Sequence, residues 1–584
     1  MRYASHKCKM NLILHGVPDM QERLVWFGFQ KFSVDLDVAE QKAIKERMRP
    51  MSFNKRLASA FMMFIFGAAI LNILIPYMGL PVSLRKEPTS YLVALVLLSS
   101  FAAFFSVFQG SIRRRLRQNL LLAFAIIFTL PFVFTQKFFG TRDVGSMLIT
   151  ASENKLGEMV DIGIGSFGID ILIFASNAIL ILILAHMLSQ NIKGFKSVLT
   201  ALSLIMLFTN PMSIFAYRLV VPNYAHSLID PDIDLLPPNI LKRPDQQKNL
   251  IIVYLESLER TYREIPETAI AFKDLGEIED RGISARNQMQ FPGVNFTIGG
   301  IVGSQCGVPL LPRGIFSVHR MAGNGLGYAS PFTEFIPSIT CLGDVLSADG
   351  YEQSYLNGSD IGVFSKGDFF LSHGFENVFG QKQFENWETE LRKNIWGLDD
   401  DVLFEKVNKE LQRLASTDRP FTLVALTLST HFPDAFLDKN CPVIAMDRSL
   451  VPDAIRCTGN HVKKLLAEVD KLGISEDTVI VFMSDHLTMK NTMWKQLVER
   501  SEQRRNLFIV LGAGAPRVIE RESTTLDIYP TILEALGYKI EGGRAYMGRS
   551  IFSENGPTMI EKFGPIDLSK AVVGNNTLQE FIWK

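Results

Sequence analysis

The chain lacks three things, and each absence narrows its role. It has no charge excess, since 60 Lys and Arg face 60 Asp and Glu across 584 residues. A balance of that kind leaves no electrostatic footprint for nucleic acid. It lacks the mark of a cleavable leader. The first long apolar run starts near residue 57 and carries no small-residue cleavage site, so a processed signal peptide is not expected. Cysteine is scarce, with only Cys8, Cys306, Cys341, Cys441 and Cys457.

What is abundant is apolar sequence, 47% of all residues, and it is unevenly spread. Five runs, at about 57–80, 90–108, 119–135, 166–188 and 197–216, carry few charges. Each approaches the ~20 residues that a helix needs to cross a hydrocarbon core. Five in succession are hard to bury in any other way. Arg113, Arg114, Arg115 and Arg117 in "SIRRRLRQ" place the loop between the second and third runs in the cytoplasm. Lys193 and Lys196 put the next short loop on the same side, together with segment 1–56. Five crossings then leave everything after about Phe215 outside, as a linker over 217–243 and a domain over 244–584. The loop 137–165 is also external, and "VGSMLITASENKLGEMV" within it suits either an amphipathic helix on the membrane surface or a structured loop.

Cysteine placement agrees with this topology. Cys8 falls on the reducing side, and the other four form an even set where disulfides persist. Spacing alone leaves three pairings. Cys306–Cys341 and Cys441–Cys457 are expected, because neighbours close the shortest loops, with four unpaired thiols as the alternative.

From about Asp245 the pattern becomes strand–helix alternation. Strand-length apolar runs occur in "NLIIVYLES", "FTLVALTLST", "TVIVFMSDH" and "NLFIVLGAG". Helix-like stretches such as "DDVLFEKVNKELQRLAS" and "RCTGNHVKKLLAEVDKLG" lie between them. Such strands imply an α/β domain whose sheet is covered on both faces. Ligands then sit beyond the carboxyl ends of the strands. Glu256 ends the first run, His431 follows the second, and Asp485 and His486 end the third. Glu, Asp and His from separate strands make an oxygen-rich set suited to Mn²⁺, Mg²⁺ or Zn²⁺. A divalent cation lends a hydroxyl alkoxide character for attack on phosphorus or sulfur. Thr297, before the Gly-rich stretch "IGGIVG", is the best hydroxyl. It stands where a helix can begin and can aim free N–H groups at an anion. A plainer role for it is as that helix's N-cap.

These residues carry a resemblance. "NLIIVYLESLERTY", "FTIGGIVGSQCGVPL", "LSHGFENVFG", "STHFPD", "MSDHLTMKNTMWK" and "RRNLFIVLG" together resemble the membrane-bound phosphoglycerol transferases that decorate osmoregulated periplasmic glucans. Lipoteichoic acid synthases are similar but more distant, and all belong to the alkaline phosphatase and sulfatase superfamily. The resemblance covers roughly 245–540. It implies a fold class of an N-terminal α-helical membrane domain plus an extracytoplasmic α/β sulfatase-like (alkaline phosphatase-like) domain. It implies metal binding by Glu256, Thr297, Asp485 and His486, with Mn²⁺ the expected ion. It makes Thr297 the nucleophile, a register that Pro309 supports. It gives His431 and Lys366 as substrate contacts, with Phe364 two positions before Lys366. Lys366 stands where the synthases have Arg, so bidentate recognition is lost, and a solvated loop charge is the plainer reading. The donor implied is phosphatidylglycerol, the acceptor a glycan, and the location a bacterial inner membrane with the domain in the periplasm.

Other polar residues read as structural. His373 in "SHGF" suits a turn, and "TTLDIYPTILEALGY" resembles a late packing helix of the superfamily. His461 is expected to face solvent, and Trp396 in "NIWGLDDDVL" resembles a family segment near the substrate cleft, with no role defined by the sequence. Rival functions are phosphoethanolamine transfer, phosphodiester or sulfate ester hydrolysis, and a non-catalytic membrane sensor or assembly protein. No Cys-x-Pro-x-Arg setting of a sulfatase is present.

Overall fold

The computed structural model describes residues 122–126, 128–129, 175–188, 191, 195–210, 213, 224–311, 335–385, 391–444 and 449–584. Most of the five apolar runs, the loop 137–165, Cys8 and segment 1–56 lie outside them. Within them, residues 175–188 are helical, as is α1 (Phe195–Thr209). Leu122, Ile126, Leu180, Leu184, Leu188 and Leu199 pack into one small cluster. Among the described residues, no helix is long and apolar enough to cross a membrane.

The second half of the chain is a layered α/β domain. Eight strands form its main sheet: β1 (Asn249–Leu255), β2 (Ile283–Ala285), β3 (Glu352–Asn357), β4 (Asn377–Phe379), β5 (Phe421–Leu426), β6 (Thr478–Ser484), β7 (Phe508–Leu511) and β8 (Arg517–Ile519). Their spatial order is β8-β2-β7-β6-β1-β5-β3-β4. From β4 through β3, β5 and β1 to β6, neighbours run parallel. β7 is antiparallel to both β6 and β2. The parallel half therefore sends all its carboxyl ends to one edge.

The central strands are apolar at nearly every position because both faces are covered. Along β1, Leu250, Ile252 and Tyr254 enter one core while Ile251, Val253 and Leu255 enter the other. That is the two-residue period of a strand. Helices α2 (Lys273–Arg281), α6 (Asp400–Ala415) and α7 (Val451–Lys471) cover the second face. Helices α3 (Thr297–Cys306), α4 (Leu342–Ala348), α5 (Lys366–Ser372), α8 (Ile528–Ala535) and α9 (Met559–Val572) cover the first.

Both expected disulfides are present. Cys306–Cys341 joins the last residue of α3 to the N-cap of α4, and Cys441–Cys457 ties a loop to α7. His373 is structural. Its Nδ1 meets Asp344 at 2.8 Å and its Nε2 meets the Phe335 carbonyl at 2.9 Å. Asp527, in the late helix segment, accepts the Thr524 and Arg549 N–H groups at 2.7 and 2.8 Å and so also serves packing. His461 departs from expectation, being buried with Nε2 2.8 Å from Asp438 and its ring stacked on Phe404. Its stretch looks charged in sequence, but the Asp438 loop, distant along the chain, covers that turn of α7.

Closing a loop of this size lowers the entropy of the unfolded chain. With a sequence separation of 16, replacing both Cys441 and Cys457 with Ser should cost about 3 kcal/mol in urea unfolding of the folded domain.

Candidate active site

The site begins with strand register. Leu255 pairs with Ser484 across the parallel β1–β6 ladder, so the next residues, Glu256 and Asp485, emerge side by side. Both are buried, at 1% and 0% exposure. β1 ends sharply because Ser257 takes a left-handed conformation, φ 55°, which is costly for a residue with a Cβ. The turn is held by contacts to the two carboxylates. The Ser257 N–H donates to Asp485 Oδ1 at 2.8 Å, and the Ser257 hydroxyl donates to Glu256 Oε1 at 3.0 Å. Just past the end of the next strand, β5, the Thr427 hydroxyl accepts the Glu256 N–H at 3.1 Å. The Thr430 hydroxyl donates to the Glu256 carbonyl. Asp400, at the start of α6, accepts the Leu428 and Ser429 N–H groups at 2.7 and 3.0 Å and fixes the loop that carries His431.

Thr297 reaches this edge from α3. It is not the N-cap, which is Phe296, but the first helical residue. Glycine explains how the helix gets so close. A Cβ on Gly300 would lie 1.9 Å from the Asp485 carbonyl oxygen, and one on Gly303 would lie 2.7 Å from Val294. Thr297 Oγ1 is thereby 3.5 Å from Glu256 Oε2 and 3.4 Å from His486 Nε2. His486 Nε2 is 3.4 Å from Glu256 and 3.1 Å from Asp485. Its Nδ1–H donates to the Leu487 carbonyl at 2.8 Å, which leaves Nε2 turned inward. His431 is set the same way, with Nδ1 on the Phe432 carbonyl at 2.8 Å and Nε2 3.9 Å from Glu256 Oε1.

The donor atoms of Glu256, Asp485 and His486 lie within 4.8 Å of one another. Electrostatics shows what such a cage fits. Burial pushes the Asp485 carboxyl up, the nearby Glu256 charge adds to this, and the result is about 7. Burial works against charging His486, but the Asp485 and Glu256 carboxylates outweigh it and raise the imidazole to about 9. Burial would raise Glu256 too, yet its contacts with His486 and the His431 charge bring it down to about 2. Protons are thus held where two carboxylates face each other. Among the described residues, buried Asp485 Oδ2 has the ion-pair contact with His486 Nε2 at 3.1 Å but accepts no well-aligned hydrogen bond. Two hard oxygens, an inward imidazole and a hydroxyl make a donor set suited to a divalent cation.

Lys366 is not the solvated charge that the plainer reading expects. It is 3% exposed and donates to the Ser359 hydroxyl at 3.1 Å. Phe364 and Ser365, both left-handed at φ 57° and 52°, turn the chain into it, and Lys366 Nζ lies 5.7 Å from the Phe364 ring centre. Its charge helps to lower the His431 pKa, after burial, the largest cause. Two features lay beyond sequence reasoning, one unseen and one left without a role. One is a buried brace in which Arg504 clasps Glu259 at 2.5 Å and donates to the Thr488 carbonyl at 2.7 Å, joining the turn after Glu256 to the loop after His486. The other is Trp396, whose ring centre is 4.0 Å from that of His431. Both pairs are far apart along the chain, and nothing local signals them.

Comparison with known proteins follows this geometry. Residues 248–538 match the Sulfatase family model. Phosphoglycerol transferase I of Escherichia coli O127:H6 is 32% identical over 327 residues, which is 55% of this chain and 41% of that relative. The protein of the same name in Shigella flexneri matches to the same extent. The match therefore spans about two-fifths of the length of these curated relatives. Similar solved structures include a protein of the alkaline phosphatase superfamily from Vibrio parahaemolyticus, 19% identical with a TM-score of 0.44 over 58% of this chain and 79% of that one. They also include the lipoteichoic acid synthase LtaP from Listeria monocytogenes, 20% identical with a TM-score of 0.43 over 55% of this chain and 80% of that one.

Two outcomes follow from the site. Gly300→Ala should push α3 off Asp485, cost about 1–3 kcal/mol of stability by urea unfolding and lower turnover about 100-fold through the displaced hydroxyl. The second concerns pH. Folding raises the Asp485 and His486 pKa values, so protein stripped with a chelator gains stability from them at low pH. It loses that stability as pH rises through about 7 and then about 9. The Glu256 contribution, being depressed, is already complete in this window. Urea midpoints should fall with rising pH in chelator and stay nearly level in excess Mn²⁺.

Proposed function

We propose that this chain, whose residues 248–538 match the Sulfatase family model, is a membrane-bound phosphoglycerol transferase. It moves sn-glycerol-1-phosphate from phosphatidylglycerol to a hydroxyl of a periplasmic glycan and releases diacylglycerol. The observation that carries this reading is the Thr297 hydroxyl, 3.5 and 3.4 Å from Glu256 and His486 at a helix start.

Glu256, Asp485, His486 and Thr297 would hold one cation, with Mn²⁺ the proposed ion. When bound, it supplies Lewis-acid charge to the Thr297 oxygen and to the phosphoryl group. Thr297 Oγ gives its proton to His431 Nε2 and forms a bond to phosphorus as the bond from phosphorus to the diacylglycerol oxygen breaks, and His431 passes that proton to the leaving oxygen. Phosphoglycerol then rests on Thr297. An acceptor hydroxyl gives its proton to His431 and attacks phosphorus, the bond from phosphorus to Thr297 Oγ breaks, and His431 returns the proton to that oxygen. The N–H groups of Thr297, Ile298 and Gly299, which the helix leaves without partners, face the phosphoryl oxygens, and Lys366 balances their charge.

The apolar runs over 57–216 would anchor the chain in a bacterial inner membrane, and the linker over 217–243 would carry a periplasmic domain over 244–584. Two disulfides in the described residues support the oxidising side. A lipid donor explains the anchor, because the domain needs to engage only the headgroup.

The test uses full-length protein in detergent with glycerol-labelled phosphatidylglycerol and Mn²⁺. Wild type should release diacylglycerol and carry label on the Thr297 peptide. Thr297→Ala should do neither, and EDTA should abolish both in the wild type. Label on the protein from phosphatidylethanolamine instead would move the donor assignment. Bound metal without release from either lipid would refute the transfer reading.

A further inference from the structure

His431 must present Nε2 to the phosphoryl site, yet one hydrogen bond does not hold a ring. The Phe432 carbonyl can only accept, so Nδ1 carries the proton there. The ring remains able to pivot about that bond. Its face is covered by the indole of Trp396, with centroids 4.0 Å apart and planes 37° apart. Phe432 closes in at 4.6 Å from the same ring. We infer that Trp396 is a positioning residue, whose indole holds the His431 imidazole with Nε2 toward Glu256 and the reacting phosphorus.

The placement of Trp396 is itself constrained. It sits in a small hairpin in which Lys393 and Asn394 pair with Leu398 and Gly397. Its N–H donates to the Asn394 side chain at 2.8 Å. Gly397 follows with φ 146°, and a Cβ there would lie 2.3 Å from the Gly358 carbonyl. The Leu398 N–H donates to that same carbonyl at 2.9 Å. The next residue, Ser359, accepts from Lys366. The hairpin thus rests on the loop that carries the phosphate-side cation and projects its indole onto the proton-transfer imidazole. One rigid turn sets the spacing between the two groups that flank the phosphoryl site.

The inference rests on the proposed transfer for its substrate, so the test has an arm that needs no turnover. In the kinetic arm, Trp396→Ala should lower kcat for diacylglycerol release about 10- to 100-fold, while KM for phosphatidylglycerol and Mn²⁺ stoichiometry hold. Trp396→Phe, which keeps an aromatic face, should recover most of the loss. In a His431→Ala background, Trp396→Ala should add nothing further, as expected of residues acting as one unit. Additive losses, a rise in KM alone, or a loss matched by lost Mn²⁺ binding would each overturn the inference. In the spectroscopic arm, His431→Ala should raise tryptophan emission in otherwise wild-type protein and leave it unchanged in Trp396→Phe protein. Equal effects in both backgrounds would refute the stack, whichever lipid proves to be the donor.

Discussion

Two buried carboxylates, Glu256 and Asp485, must share one small space. In a medium of low polarity they cannot both stay charged without a cation between them. The fold makes this conflict unavoidable, because Leu255 and Ser484 are paired in register and their successors have nowhere else to go. His486 moderates it with a proton. A divalent cation would resolve it fully, and would draw Thr297 in as a further oxygen donor. The rest of the site serves that conflict. Gly300 lets α3 approach, Ser257 turns β1 away at once, and the Glu259–Arg504 pair locks the two strand ends together.

Such a brace is placed where its strength is useful. Glu259 is fully buried and Arg504 nearly so. An ion pair of that kind contributes little net stability, but breaking one partner costs several kcal/mol. It therefore fixes geometry more than it adds energy. The same division holds for Asp400, which spends both carboxylate oxygens on two backbone N–H groups of the His431 loop. Rigidity is supplied remotely and delivered to the few atoms of the candidate site.

The legible part of this molecule is the part governed by local pattern. Apolar strands that stop at Glu256, at Asp485 and shortly before His431 are visible in sequence, because a buried parallel sheet needs continuous hydrophobic runs and collects polar groups at its carboxyl edge. The "IGGIVG" stretch is visible because close helix approach needs glycine. His461 was misjudged, and the solvated alternative for Lys366 fails, for one reason. Their neighbours in sequence are polar, while the groups that bury them come from other segments, Ser359 and its loop for one, Asp438 for the other. Arg504 was silent and Trp396 was placed only by resemblance, without a role, because their partners lie 245 and 35 residues away. The expectation of membrane segments in the first half rests on composition and the basic loops alone, since most of those runs lie outside the described residues.

The central claim is that the carboxylate pair exists to hold one divalent cation. Metal content per chain, measured on purified protein after equilibration with Mn²⁺ and removal of excess, tests it most directly. The account predicts one equivalent in the wild type and a loss of most of it in Glu256→Gln, with the fold intact by circular dichroism. Retention of a full equivalent by the folded Glu256→Gln protein, or none in the wild type, would contradict it.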